Sequence, residues 1–145
     1  MNKSQFLKSL DKVYCRIGVG KYGVGIIAIR NIPKGIDPFF DTTKVKYLSV
    51  TPKELIGIHP SVMNLINDFC PLQDGKYWVP SNGMNSIAVG YYLNHSKEPN
   101  MVAVKDGEQF ITKRTIKAGE ELTVDYNTYD DRVEDFRWYV FQENY

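Results

Sequence analysis

"VGYYLNHSKEPNM", residues 89–101, decides how the rest of this chain is read. An apolar aromatic run breaks there into Asn94, His95 and Ser96, then meets a second turn signal at Pro99 and Asn100. Asn and Ser favour turns because their short polar side chains bond the nearby backbone, and Pro because its ring fixes φ. The stretch also holds one of the chain's 2 histidines, between two asparagines and beside Tyr91 and Tyr92. A lone histidine in a polar turn is more often satisfied by its neighbours than used for ligation or catalysis. The stretch therefore needs its context before it implies chemistry.

Composition supplies little of that context. A chain of 145 residues is about long enough to close one core, so a single domain over residues 1–145 is expected. Hydrophobic residues at 43% and charged residues at 24% are ordinary for a globular protein, whereas 13% aromatics suggest a pocket or an aromatic-lined groove. A formal net charge of +1 carries no cationic footprint, so neither nucleic acid nor a membrane surface is favoured as a partner. Cys15 and Cys70 stand far apart, with no Cys-x-x-Cys or Cys/His cluster around them; they read as two buried free thiols, and no metal site is expected. The start, "MNKSQFLKSLDK", lacks the apolar run of a signal peptide, and no segment is apolar enough to span a bilayer, so the expected location is intracellular, cytoplasmic or nuclear.

Along the chain, residues 3–13 read as a short amphipathic helix with Phe6, Leu7 and Leu10 on one face, or as a lead-in. "VGIIAIR" at 24–30 is a β-branched strand that ends at the turn "NIPKG". "TPKE" at 51–54 has the pattern of a capping box with Pro at the first helical position, which predicts a helix start. Val62, Leu65, Ile66 and Phe69 recur at helical spacing and predict a second short helix over about 61–68. Beyond residue 72 the period shortens: "KYWVP", "MVAVK" and "EQFIT" are strand-like runs, divided by Asp74-Gly75, Asn82-Gly83 and Asp106-Gly107, all favoured tight-turn pairs. "RNIPKG" at 30–35 and "RTIKAG" at 114–119 echo each other after strand-like runs, one strand-to-turn device used twice. The expected fold class is mainly β with a small helical insertion near the middle.

Three stretches are weak signals one by one. "YGVGIIA" at 22–28 has two close glycines ahead of a strand, which suits a tight turn and not a dinucleotide fingerprint. "LNHS" suits a polar turn, and "GEELTVDY" at 119–126 suits a turn followed by an ordinary strand whose Tyr126 packs in the core. In this order and spacing, however, "YGVGIIAIRNIPKG", "LNHSKEPN" and "GEELTVDY" together resemble the signatures of the SET domain, the fold of S-adenosyl-methionine-dependent protein lysine methyltransferases. The resemblance spans about residues 15–130.

That resemblance implies a β-clip fold of short sheets with a pseudoknot-like C-terminal threading. It implies S-adenosyl-methionine as cofactor, held by Gly23, Val24 and Gly25 where glycine lets main chain approach closely. Asn94 would hold the methionine end of the cofactor and the His95 backbone the adenine edge, with the His95 ring bracing the turn. Tyr126 would be the active-site tyrosine, orienting a lysine amine and the transferred methyl group. Val124 and Ala103 would sit beside the substrate channel, and neither carries a hydroxyl, which leans towards di- or trimethylation being sterically permitted.

Where many members of that family have a cysteine-rich, zinc-binding tail, this chain has no cysteine after Cys70. Its aromatic tail, 131–145, with Tyr129 just before it, would close the channel instead, with Trp138 against the adenine or the channel; a plain hydrophobic clamp is the alternative. A second tyrosine usual in the family would fall near "DPFFD", where this chain has Phe39 and Phe40. The leading expectation is thus methyl transfer to a protein or peptide lysine, a histone-like tail included, with homo-oligomers left open. The rival is a catalytically weak or inactive SET-fold module that binds a lysine-containing peptide. A hydrolase using His95 lacks a serine or cysteine elbow. Asp130, Asp131, Glu134 and Asp135 read either as an acidic rim for a basic tail or as a solvated helix face.

Overall fold

The two echoing segments of the sequence pair with each other in space. In the computed structural model, which describes residues 1–39 and 45–132, Ile32 and Ile116 form an antiparallel bridge and are both fully buried. Ile32 N–H donates to Ile116 O at 2.7 Å and Ile116 N–H returns to Ile32 O at 2.9 Å. The symmetry extends further: Gly35 N–H donates to Thr112 O at 2.9 Å, and Gly119 N–H to Ala28 O at 2.8 Å. Each Arg-x-Ile-x-x-Gly segment thus closes onto the strand that leads into the other one. A buried backbone needs every donor and acceptor matched, and this exchange matches them without a continuous sheet.

The strands are short, as their spacing predicts. β1 (Cys15–Gly20) and β2 (Gly23–Ala28) form an antiparallel hairpin. β3 (Tyr47–Val50), β4 (Leu72–Gln73) and β5 (Lys76–Pro80) form a three-stranded sheet in the order β3-β5-β4. β6 is Asn94–His95, β7 (Met101–Val104) pairs with β8 (Gln109–Thr112), and β9 is Glu121–Val124. The Asp74-Gly75 and Asp106-Gly107 turns both connect antiparallel strands, β4 to β5 and β7 to β8, whereas Asn82-Gly83 leads into a 3-10 turn at Met84–Ser86. The largest sheet runs β1-β2-β9-β6, with β9 antiparallel to β2 and parallel to β6. This is the expected mainly-β fold of small sheets.

Alternation along these strands builds the main core. Ile26 and Ala28 of β2, Leu122 and Val124 of β9, and Met101 of β7 point inward and meet Leu93, Ile32 and Ile116. A second, smaller core of Ile66, Cys70 and Tyr77 lies under α2 (Pro60–Phe69), with Leu55, Met63 and Val79 packed on it. A buried ion pair ties this insertion to the residues after β9. Arg132 Nη2 lies 2.8 Å from Asp130 Oδ2, and the same guanidinium donates to Asn67 O and Cys70 O, both at 2.9 Å.

Three sequence expectations are corrected by this packing. Asp130 is 5% exposed and committed to Arg132 and to the Leu72 N–H, so it does not serve an acidic rim. Asp131 accepts the Asp74 N–H, while Glu134 and Asp135 lie outside the described residues. The capping box at Thr51 and Glu54 forms, with Thr51 N–H donating to Glu54 Oε2 at 2.8 Å and Glu54 N–H to Thr51 Oγ1 at 3.2 Å. It opens only a run of turns: Gly57, at φ +92, leaves the helical region before a helix can propagate. Cys15 is half-buried, where Cys70 is fully buried; burial pushes both thiols up to about 11, so both stay protonated near neutrality. The N-terminal helix forms as expected: α1 (Lys3–Leu10) starts with a capping box between Asn2 and Gln5, and its Phe6, Leu7 and Leu10 are about half exposed.

The core and the α1 face should respond very differently to truncation. Ile116→Ala should cost about 2–5 kcal/mol of unfolding free energy, because it empties a filled site and weakens the cross-chain bridge. Leu7→Ala, on the exposed face, should stay within about 0.5 kcal/mol of the parent. Denaturant titration of both variants checks the contrast, and equal losses would contradict the placement of the core.

Candidate functional site

The site begins with the far edge of β9. On one side β9 bonds β2; on the other it meets β6 in parallel, with Asn94 opposite Thr123 and His95 opposite Val124. Beyond β6 the pairing is continued by a side chain. Asn100, buried at 5% exposure, accepts the Thr123 N–H at 2.9 Å through Oδ1 and donates Nδ2–H to Glu121 O at 2.8 Å. One amide group presents both a donor and an acceptor, so Asn100 substitutes for a strand residue where the chain has turned away. This is why "LNHSKEPN" and "GEELTVDY" lie together.

His95 completes the seam with its ring. Nδ1 accepts the Tyr126 N–H at 3.0 Å, which requires that nitrogen to be unprotonated. Burial holds the imidazole below its usual range; Lys97 acts in the same direction and Asp125 opposes both. The Asp125 carboxylate lies 3.7 Å from Nδ1, but a neutral ring makes no ion pair there, and Asp125 Oδ1 instead accepts the Asn127 N–H at 3.0 Å. The His95 and Tyr126 rings lie 5.3 Å apart.

Tyr126 opens a short 3-10 turn, Tyr126–Thr128, that Asp125 caps. Its hydroxyl donates to the Leu93 carbonyl, so toward any other group its oxygen acts as an acceptor. Burial, with the Asp130 and Glu121 carboxylates, pushes this phenol well above its ordinary range. Tyr126 is therefore a neutral hydroxyl at physiological pH, and phenolate base chemistry is disfavoured. Tyr129 lies edge-on to Tyr126 at 6.1 Å and to Phe110 at 5.4 Å; Phe110 is opposite Ala103 in the β7–β8 pair and edge-on to Phe39 at 6.4 Å. These groups make one aromatic wall beside Tyr126.

On the other side of the seam lies the β1–β2 hairpin. Asn94 Nδ2–H donates to Val24 O at 3.1 Å and to Glu121 Oε2 at 2.9 Å. A Cβ on Gly25 would meet Asn94 Nδ2 at 2.8 Å and Glu121 Oε2 at 2.9 Å, so glycine is needed there for close approach by the protein's own side chains. The Gly23 backbone, at φ +91, opens β2 after the hairpin turn.

The sequence-predicted residues thus fall in a continuous arc: Gly23, Val24 and Gly25, then Asn94 and His95, then Tyr126, Tyr129 and Ala103. Val124 is 1% exposed within the main core, its side chain packed away from any open surface. Phe39 packs on Phe110 and Gly90, whereas Phe40 and Trp138 lie outside the described residues. Glu121 and Asn100 were not singled out. A hint of Glu121 was present in the alternation of Gly18, Gly20, Gly23 and Gly25, which bares one face of a hairpin and implies that another side chain covers it.

The family model described as "SET domain" matches residues 23–127, more than half of the chain, and spans every motif of the arc up to Tyr126. No curated protein matches the chain. Among solved structures, a Plasmodium falciparum protein named "putative histone methyltransferase" is similar at 16% identity over 78% of this chain and 92% of that chain, with a TM-score of 0.49.

The neutral His95 ring has a measurable consequence. Its folded proton affinity is depressed, so the unfolded chain binds more protons in the acid range and stability rises with pH. The contribution is complete above the unfolded value of about 6.5 and is lost as the pH falls through the lower folded value. The melting temperature of the parent should drop between pH 7.5 and 5 more steeply than that of His95→Asn, whose Oδ1 accepts the Tyr126 N–H without titrating. Parallel pH profiles would contradict the His95 assignment.

Proposed function

The chain belongs to the SET-domain family, and on that premise we propose that it is a protein-lysine N-methyltransferase using S-adenosyl-methionine. Family membership supports a methyltransferase-type function; the cofactor and the lysine specificity are our reading of the site. The observation that carries it is the β6–β9 seam, which sets Asn94 against a glycine-bearing hairpin and His95 against Tyr126 and its aromatic wall.

The residues present fit such a cofactor. Around the seam lie the Glu121 carboxylate, the Asn94 amide, the Leu93 carbonyl and the neutral Tyr126 hydroxyl, an acceptor-rich set that suits a ligand bearing ammonium and sulfonium charge. When bound, S-adenosyl-methionine would supply an electrophilic methyl group on sulfur. The main chain at Gly23, Val24 and Gly25, with Asn94, would hold its amino-acid end, and the His95 backbone its adenine.

A substrate lysine has a free pKa near ~10.4 and must reach the site as a neutral amine. Walls built from Phe39, Phe110, Tyr129 and Tyr126 disfavour the ammonium form by desolvation, which lowers that value. With its proton engaged by Leu93 O, the Tyr126 hydroxyl turns its lone pairs to the amine and to polarised C–H groups, orienting both reactants. The partner is then a peptide or protein segment that inserts one lysine. A weakly active or inactive peptide-binding module is the second reading, favoured by Phe39, which packs on Phe110 without the hydroxyl a second tyrosine would bring.

Calorimetric titration with S-adenosyl-methionine, beside mass spectrometry of a mixed lysine-peptide pool, tests the enzyme reading. The parent should bind and transfer methyl groups to lysine, and Tyr126→Phe should bind comparably while transfer falls on the order of a hundredfold. Binding without transfer by the parent would favour the peptide-binding module, and no binding by folded protein would overturn both the cofactor and the methyltransferase assignment.

A further inference from the structure

The Glu121 carboxylate occupies an unusual position for an acidic side chain on a short strand. It is only half-exposed and lies across the bare face of the β1–β2 hairpin rather than pointing into solvent. Oε1 accepts the Lys21 N–H at 2.9 Å, and Oε2 accepts the Asn94 Nδ2–H at 2.9 Å. A Cβ at Gly20 would overlap the carboxylate itself, and one at Gly25 would press on both Oε2 and Asn94 Nδ2. Two glycines on opposite strands thus leave room for this one carboxylate, which joins the hairpin turn, β9 and β6.

From this geometry we infer that Glu121 is a positioning residue for the ligand's amino-acid end: it fixes the Asn94 amide in one orientation and places a negative charge beside it. The inference rests on the cofactor reading above. Both groups near Asn94 Nδ2, the Val24 carbonyl and the Glu121 carboxylate, are acceptors, so the NH2 of Asn94 must face them. Asn94 Oδ1 is therefore turned the other way, as an acceptor. An acceptor backed by a carboxylate suits a cationic amino group and opposes an anionic or donor-poor one. Hydrogen bonds to charged groups are the stronger class, and removing the charge while keeping the shape lets the Asn94 amide rotate. Glu121 does not touch the reacting atoms in this scheme; it acts through Asn94 and through charge.

Two probes separate this role from general support of the fold: S-adenosyl-methionine, and 5′-methylthioadenosine, which lacks the amino-acid end. Glu121→Gln keeps an oxygen for the Lys21 N–H, and calorimetry on the parent and variant should show S-adenosyl-methionine weakened about tenfold to a hundredfold, with 5′-methylthioadenosine changed less than about threefold. Gly20→Ala displaces the carboxylate while keeping its charge, and should weaken the same probe selectively; it decides the matter if the Gln variant does not fold. Equal weakening of both probes, or no weakening of either, would overturn the positioning role while leaving the cofactor reading intact. Failure of the folded parent to bind S-adenosyl-methionine would overturn both.

Discussion

The edge of β9 that faces away from β2 must find partners for its N–H and C=O groups inside the protein, and the rest of the site follows from how it does so. Two residues of β6 supply a parallel pairing, Ser96 N–H donates to Val124 O at 3.0 Å, and the Asn100 amide takes the next pair of groups. The His95 ring then takes the Tyr126 N–H just past the end of the strand. A continuous strand in place of this broken one would have satisfied the same backbone groups. It would not have turned the chain sharply enough to set Asn94 against the hairpin and His95 against Tyr126.

Polarity is divided cleanly about this seam. On the hairpin side lie the Asn94 amide, the Val24 carbonyl and one carboxylate; on the Tyr126 side lie aromatic faces, with the neutral hydroxyls of Tyr126 and Tyr129. Such a division suits a reaction that brings a cationic ligand to a desolvated amine, because each side favours the charge state its reactant needs. The buried Asp130–Arg132 pair serves a different end. It anchors α2 and β4 to the chain just beyond Tyr126, and its carboxylate adds to the forces that keep the Tyr126 phenol protonated.

Much of this was legible in the residues, and what was not has physical causes. The Asp74-Gly75 and Asp106-Gly107 turns were legible because a tight turn is decided by two or three residues. Helix α2 was legible from its apolar spacing. The likeness of "RNIPKG" and "RTIKAG" was visible, but their mutual pairing was not, since nothing local says which distant carbonyl an amide will reach. The box at Thr51 was read correctly as a cap and wrongly as a helix start, because cap formation does not ensure propagation through Gly57. Asp130 read as a surface acid because its guanidinium partner becomes meaningful only once Asn67 and Cys70 are folded beneath it. In the site, Gly23, Gly25, Asn94, His95 and Tyr126 were named from their motifs, whereas Glu121 and Asn100 were missed. Their importance lies in side-chain bonds to distant backbone and amide groups, which leave no periodic trace.

The most direct test is amide hydrogen exchange of the protein with and without saturating S-adenosyl-methionine. A ligand seated across the seam slows local opening of the elements it bridges. Added protection concentrated at residues 23–26, 93–96 and 121–127, with β3 and β5 unchanged, is the predicted result. Protection absent from those segments, or centred instead on the sheet of β3, β4 and β5, would contradict the β6–β9 seam as the cofactor site.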